Sequence, residues 1–159
     1  MKIRGIKKRD RPLLKTILQA QKHFKPSEVI VALEIIDLAL MQPEQGDYSI
    51  YVAGGEAGDI LGYICYGKAP LTDAVYDLYW IVVHPVFWNQ GTGTLLLRYA
   101  EKDLKGRQAR LLLIETSSLP SYENPRLFYS KHQYKEWAKV KDYYAVGDHK
   151  LIFGKNLTR

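Results

Sequence analysis

A single cysteine, Cys65, stands in the 159 residues of this chain. One thiol excludes an intrachain disulfide and a cysteine-rich metal site, and it fits a reducing, cytoplasmic compartment. Long hydrophobic runs are also missing: nothing approaches the roughly 18 consecutive apolar residues that a membrane-spanning helix requires. The opening stretch MKIRGIKKRDRPLLK is basic but has no apolar core of the kind a secretory signal carries. Acidic residues are scarce at that end, where Asp10 is the only one among the first 25 positions against nine Lys and Arg. That segment carries +8 and the rest of the chain −2, which together give the net +6. A basic end attracts anions, yet the solvated face of a short helix has the same composition. Zinc-finger spacing and basic heptads are both absent, so nucleic acid is not expected as a partner.

What is present is the composition of one folded domain. A hydrophobic share of 47% with 25% charged residues suffices for an ordinary core at this length. Residues 2–6 alternate as a short strand. Asp10 is placed to cap a helix with Pro12 in its first turn and Leu13, Leu14, Ile17 and Leu18 on one face. Pro26-Ser27-Glu28 opens a second helix, with Val29, Ala32, Leu33, Ile36 and Leu40 at helical spacing and a stop by Pro43. Residues 48–53 and 60–67 read as a hairpin around GGEAGD. Residues 75–83 and 110–116 are two further strands; residues 92–104 between them are helical, which permits a parallel pairing. A helix over 125–131 and strands over 134–140 and 150–155 complete a mixed α/β domain without repeats or a linker.

The most informative stretch is VVHPVFWNQGTGTLLL, residues 82–97. A strand that ends in a glycine turn and enters a helix gathers unpaired backbone N–H groups and the positive end of the helix dipole in one place. Glycine lets backbone approach an anion without a Cβ in the way. Two phosphate loops are excluded by inspection. A P-loop ends in Gly-Lys-Ser/Thr, whereas Gly93 is followed by Thr94-Leu95. The dinucleotide fingerprint needs a small residue at position 96, and Leu96 stands there.

The stretch resembles the acyl-CoA-binding motif of the GNAT acetyltransferases, which reads V-x-P, a short spacer, then Q/R-x-x-G-x-G/A at the start of a helix. Here Val83-His84-Pro85 is followed by Trp88-Asn89-Gln90-Gly91-Thr92-Gly93. A second segment, Arg126-Leu127-Phe128-Tyr129-Ser130-Lys131-His132-Gln133-Tyr134, is similar to the family's A-x-x-F/L-Y-x-K-x-G-F, with Tyr129 at its tyrosine. The element order also follows the family along nearly the whole chain. The resemblance implies the GNAT fold, a central mixed twisted sheet of about six to seven strands flanked by about four helices. Three positions depart from the pattern. Trp88 replaces Gln or Arg, so one usual pyrophosphate contact is missing or replaced. Gln133 replaces glycine, which predicts an altered helix exit. Tyr122 stands where many members have asparagine, with Asn124 nearby but off register.

The activity implied by this resemblance is transfer of the acetyl group of acetyl-CoA to a primary amine, by direct attack in a ternary complex. Acetyl-CoA is expected along Trp88-Asn89-Gln90-Gly91-Thr92-Gly93-Thr94, with Ile81-Val82-Val83 beside the thioester and Asn124 close by. The chemical demands stand independently. An alkyl ammonium with a pKa near 10 is only about 0.1% free amine at pH 7, equivalent to roughly 4 kcal/mol of barrier, so a base must take a proton. Asp77 is the first candidate, because an acid in an apolar run needs a partner or a task; a cation paired with it, or exposure at a strand start, is the alternative. Alternation puts Asp77 on one face with Tyr79 and Ile81. Glu115, at the end of the neighbouring strand, is the second candidate. A backbone N–H near Ile81 to Val83 serves the thioester oxygen if that strand splays, as the resemblance implies. Tyr129 is expected to supply the acid for the departing thiolate.

His84 can titrate in a useful range, although His-Pro after a strand also reads as an exit turn. Cys65 reads as a buried small apolar residue, which argues against an acyl-cysteine intermediate. Tyr79 and Trp80, with Tyr143 and Asp148 of the loop DYYAVGD, are the candidate acceptor contacts, through cation–π attraction and charge. No metal is expected. The expected partners are acetyl-CoA and a small-molecule or protein amine, without a membrane, and a homodimer is left open. Two rival readings remain: a GNAT-fold module that senses acyl-CoA without turnover, and a nucleic-acid or ribosome-associated role for the basic N-terminus.

Overall fold

The computed structural model describes residues 1–158. They fall into two compact units, residues 1–67 with 79–103 and residues 68–78 with 104 onward. In the first unit, β1 (Lys2–Gly5) pairs antiparallel with β2 (Ser49–Gly54), and β2 with β3 (Ile60–Lys68). β4 (Val75–Val83) is β3's other neighbour. The hairpin expected around GGEAGD is the β2–β3 pair. β3 is buried from Ile60 to Gly67, so both of its faces are covered. On one face Tyr63 and Cys65 join Leu14, Ile17 and Leu18 of α1 (Arg11–Gln19) and Ala32 and Ile36 of α2 (Pro26–Met41) in one apolar cluster. On the other, the Tyr66 hydroxyl donates to the Asp103 carboxylate at 2.6 Å, in α3 (Thr92–Gly106).

Two expectations for α1 are corrected. Asp10 does not cap it with its side chain. The carboxylate instead receives a two-pronged bond from Arg4, at 2.7 and 2.9 Å, and the Lys7 N–H at 2.7 Å. It is 2% exposed, and a buried charge goes where its strongest donors are. Leu13 is 43% exposed rather than on the buried face, because only Leu14, Ile17 and Leu18 point into the cluster. α2 ends at Met41, before Pro43, as its spacing predicts.

In the second unit the first four residues of β4 pair in parallel with β5 (Leu111–Ser117), from Val75↔Leu111 to Leu78↔Ile114. β7 (Asp148–Asn156) lies antiparallel along the whole of β5, and β6 (Lys135–Ala145) lies outside β7. The seven strands therefore run β1-β2-β3-β4-β5-β7-β6 in one mixed sheet. α4 (Glu123–Lys131) buries Tyr129 against Phe153 of β7, with ring centroids 6.2 Å apart.

Here two more expectations change. DYYAVGD is not a loop: β6 continues through Tyr143 and Tyr144 to Ala145, and β7 begins at Asp148. The connection is Val146-Gly147, with Gly147 at φ +84°. Its N–H donates to the Asp142 carboxylate at 2.9 Å, inside a bulge where Asp142 takes φ +52°. The exit of α4 is also not altered in path. Gln133 takes φ +70° and donates its N–H to the Ser130 carbonyl at 3.0 Å, while the Tyr134 N–H reaches Tyr129 at 3.0 Å. This is the left-handed exit that glycine favours, adopted by a residue with a side chain.

Candidate active site

In the first unit, β4 ends against β3 at close range. A Cβ on Gly62 would stand 2.5 Å from the Val82 carbonyl oxygen and 3.1 Å from the Val83 Cα, so only glycine admits this approach. Past the strand, the His84 N–H donates to the Leu61 carbonyl at 2.8 Å. The His84 ring accepts the Val86 N–H at 3.3 Å, which makes it part of the exit turn Pro85–Phe87. Trp88 turns its indole N–H back onto the Val83 carbonyl at 2.8 Å. Asn89 and Gly91 then take φ +61° and +83°, and α3 begins with Thr92. Gln90 folds over the turn, its amide donating to the Val86 carbonyl at 3.1 Å. Nothing lies within 4 Å of a Cβ built on Gly91. Thr92 is buried, and its hydroxyl finds no hydrogen-bond partner among the described residues. An open positive-φ glycine, an orphaned hydroxyl and the first N–H groups of a 15-residue helix fit a phosphate anion. The residues present thus suit the pyrophosphate of a CoA thioester.

On the same strand Tyr79 and Trp80 part company. Trp80 packs onto the cluster of α1 and α2, whereas Tyr79 is partly exposed, edge-on to Tyr48 at 5.4 Å. Ile81 is half-buried and Val82 buried. Cys65 is buried and burial pushes its thiol pKa up, which keeps it an unreactive thiol.

The second unit carries the ionisable groups. Strand register puts Asp77 beside Leu113, hence on the same face as Glu115, and β7 brings Lys150 opposite Ser117 on that face. The Lys150 ammonium lies 2.8 Å from the Glu115 carboxylate and 4.4 Å from the centre of the Tyr143 ring. The Ser117 hydroxyl donates to the Asp148 carboxylate and accepts the Leu119 N–H at 3.0 Å. Asp148 is only 7% exposed, so its charge acts on its neighbours more than on solvent. Burial first, and the Glu115 charge second, raise the Asp77 pKa above the ordinary carboxylate value, against a smaller lowering by Lys150. Burial and then Glu115 likewise raise the Tyr144 phenol.

Of the sequence candidates, Asp77, Glu115, Tyr143 and Asp148 are thus gathered on one face of the second unit. Tyr129 is not among them. It packs with Phe153, whose register partner is Ile114, on the opposite face, and burial raises its phenol pKa. Asn124 is exposed in the first turn of α4. Lys150 and Ser117 escaped the sequence reading, and Tyr144 is in it only as part of DYYAVGD. Only Ser117 had a local signal, the continuation of a strand expected to end at Thr116. The basic N-terminus is partly spent: Arg4 is bound to Asp10, and Arg11 forks onto Asp37 at 2.5 and 2.8 Å. Among the described residues no helix is long and apolar enough to cross a membrane, and no group of three His, Cys, Asp or Glu could hold a metal ion.

Comparison with known proteins follows the same lines. Residues 46–136 match the family of acetyltransferase (GNAT) domains. A solved protein from Desulfovibrio desulfuricans, ascribed to the GNAT acetyltransferases, is 33% identical with a TM-score of 0.94, over 98% of both chains. At 18% identity the fold alone is shared with an aminoglycoside 6'-N-acetyltransferase complexed with coenzyme A, at TM-score 0.77 over 99% of this chain and 97% of that one. It is shared at 18% identity also with the ribosomal-protein-S18-alanine N-acetyltransferase of Escherichia coli, at TM-score 0.76 over 98% and 93%. Among curated proteins none matches the chain significantly.

Proposed function

The chain belongs to the GNAT acetyltransferase family, and on that premise we propose that it transfers the acetyl group of acetyl-CoA to a primary amine, with Asp77 as the base. The observation that carries this reading is the contrast between two neighbouring carboxylates. Glu115 is held by Lys150 at 2.8 Å, while Asp77 is half-buried and raised toward the range where a base is effective. The Gly91 turn and the first turn of α3 take the pyrophosphate. A backbone N–H among Ile81, Val82 and Val83 donates to the thioester oxygen; the register of β4 with β5 ends at Leu78↔Ile114, which supports that role.

The protons balance as follows. The substrate ammonium loses one proton to Asp77, directly or through water, and the amine nitrogen attacks the thioester carbon. The C–N bond forms, the C–S bond breaks, and the second nitrogen proton ends on the CoA sulfur. Tyr129 keeps the role of hydrogen-bond donor to that sulfur that the family resemblance implies. It stands on the face opposite Asp77, so in this reading the amine and the sulfur are approached from opposite faces. A phenol above its ordinary pKa of about 10 would give its proton to a thiolate of pKa about 8.5 only at a cost above roughly 2 kcal/mol. Its raised pKa therefore favours donation without net transfer. The exposed rings of Tyr143 and Tyr79, together with the surplus of carboxylates over Lys150, suit a cationic acceptor.

Release of CoA thiol from acetyl-CoA across a panel of amines tests the reading. Acceptor-dependent release supports it. Binding of acetyl-CoA without release for any acceptor would make the chain a silent acyl-CoA-binding module instead.

A further inference from the structure

We infer that Trp88 is a positioning residue, a latch that fixes the end of β4 and the Gly91 turn through the Val83 carbonyl. The inference rests on the reading of that turn as the acyl-donor site.

A backbone carbonyl has two lone pairs, and along a strand they normally face a neighbouring strand. At Val83, the last residue of β4, two side chains donate to the oxygen. The Trp88 indole N–H does so at 2.8 Å and the Gln21 amide at 3.1 Å. Gln21 is itself buried, and the same amide nitrogen donates to the Ile17 carbonyl at 3.0 Å, which anchors it to the end of α1. The strand end is thus held from three directions: by α1 through Gln21, by β3 through the His84 N–H on Leu61 and the close approach at Gly62, and by the following loop through Trp88.

The third hold is the one that reaches the turn. From Trp88 the chain passes two positive-φ residues, Asn89 and Gly91, with Gln90 between them, before α3 starts. Such a segment loses little by fraying unless something closes it. The indole bond closes the loop 83–88 on itself, and Gln90 closes it again on Val86. Trp88 is 47% exposed, so its ring is not retained chiefly for burial. An indole has a single donor and no acceptor, and that donor faces inward. A Gln or Arg at this position would put its polar group toward a bound anion. Trp88 acts instead on the backbone that presents N–H groups to the anion, so its contribution is preorganisation of the turn.

Trp88→Phe keeps an aromatic ring and removes the donor. The test measures amide hydrogen exchange over residues 82–93 in the protein without ligand, the acetyl-CoA dissociation constant, and kcat with saturating donor. The latch predicts faster exchange across the loop and an affinity about five- to tenfold weaker, as expected for one lost hydrogen bond. It also predicts that kcat falls less than the affinity does, because the Gln21 amide and the His84 N–H still hold the end of β4 that presents the Ile81–Val83 N–H groups. Gln21→Leu, which removes the other donor and leaves Trp88, should raise exchange at Val83 and His84 more than at residues 89–91. Unchanged exchange in Trp88→Phe overturns the latch. Faster exchange with unchanged acetyl-CoA affinity overturns its role in donor binding. Failure of the unaltered protein to bind acetyl-CoA at all would defeat the donor-site reading itself, a result the exchange data alone would not produce.

Discussion

Asp77 and Glu115 are two carboxylates on adjacent strands, and one lysine gives them different surroundings. Lys150 pairs with Glu115, while burial first and the Glu115 charge second disfavour the charge on Asp77, with Lys150 offsetting part of this. Asp77→Asn should lower kcat by about 10²- to 10⁴-fold with little effect on acetyl-CoA affinity, since it removes a general base and no donor contact. The sign of the pH dependence follows from the same geometry. A base must be ionised, so activity rises as pH passes its pKa, and for Asp77 that acid limb lies above the ordinary carboxylate value. Removing the nearby negative charge in Glu115→Gln should move the limb to lower pH. Lys150→Met should move it higher, because Asp77 then faces an uncompensated Glu115. A pH profile of kcat/KM for each variant decides this, and identical limbs in all three would remove Asp77 from the role. At the other carboxylate of consequence, Asp10→Asn leaves the Arg4 guanidinium and the Lys7 N–H without their anionic acceptor. Chemical denaturation should register a loss of about 2 kcal/mol.

The element scale shows where local pattern is enough and where it is not. α2 begins at Pro26 and ends before Pro43, and β4 ends at Val83 before His-Pro, each because its punctuation is local. The α4 exit is equally local, yet Gln133 hides it by occupying a left-handed position that glycine usually marks. Gln133→Gly should relieve a conformational cost of about 1–2 kcal/mol. Part of that returns as extra unfolded-chain entropy, leaving a net gain of up to about 1 kcal/mol by thermal or denaturant unfolding. The two strands of the β6–β7 hairpin are legible in the sequence, and its end is not, for a different reason. Asp142 and Val-Gly-Asp have turn composition, yet β6 runs on to Ala145, which pairs with Asp148 of β7, and only Val146-Gly147 form the turn. Lys150 shares that cause: its partners Glu115 and Tyr143 lie on other strands, so nothing within its own segment announces it. Asp10 was misread as a cap because Arg4, the donor that claims it, comes from β1. The glycine turn at the start of α3 is readable in the sequence, and the bond from the Trp88 indole to the Val83 carbonyl is not.

At the scale of the whole molecule the net charge of +6 divides unevenly, with Arg4 and Arg11 committed to Asp10 and Asp37 and the acidic surplus placed around Asp77. Lys7, Lys8 and Arg9 are exposed and outside the groups assigned to catalysis. Replacing these three with Ala should leave acetyl transfer within about twofold of the original and change only salt-dependent association with polyanions. A parallel loss of turnover would bring the basic end into the reaction. The central claim is that this GNAT chain is a working N-acetyltransferase whose base is Asp77. Acceptor-dependent release of CoA thiol, measured over a panel of primary amines for the original protein and for Asp77→Asn, tests it most directly. The account predicts release with at least one amine and its collapse in Asp77→Asn at unchanged acetyl-CoA affinity. Bound acetyl-CoA with no release for any amine, or full release in the variant, would contradict it.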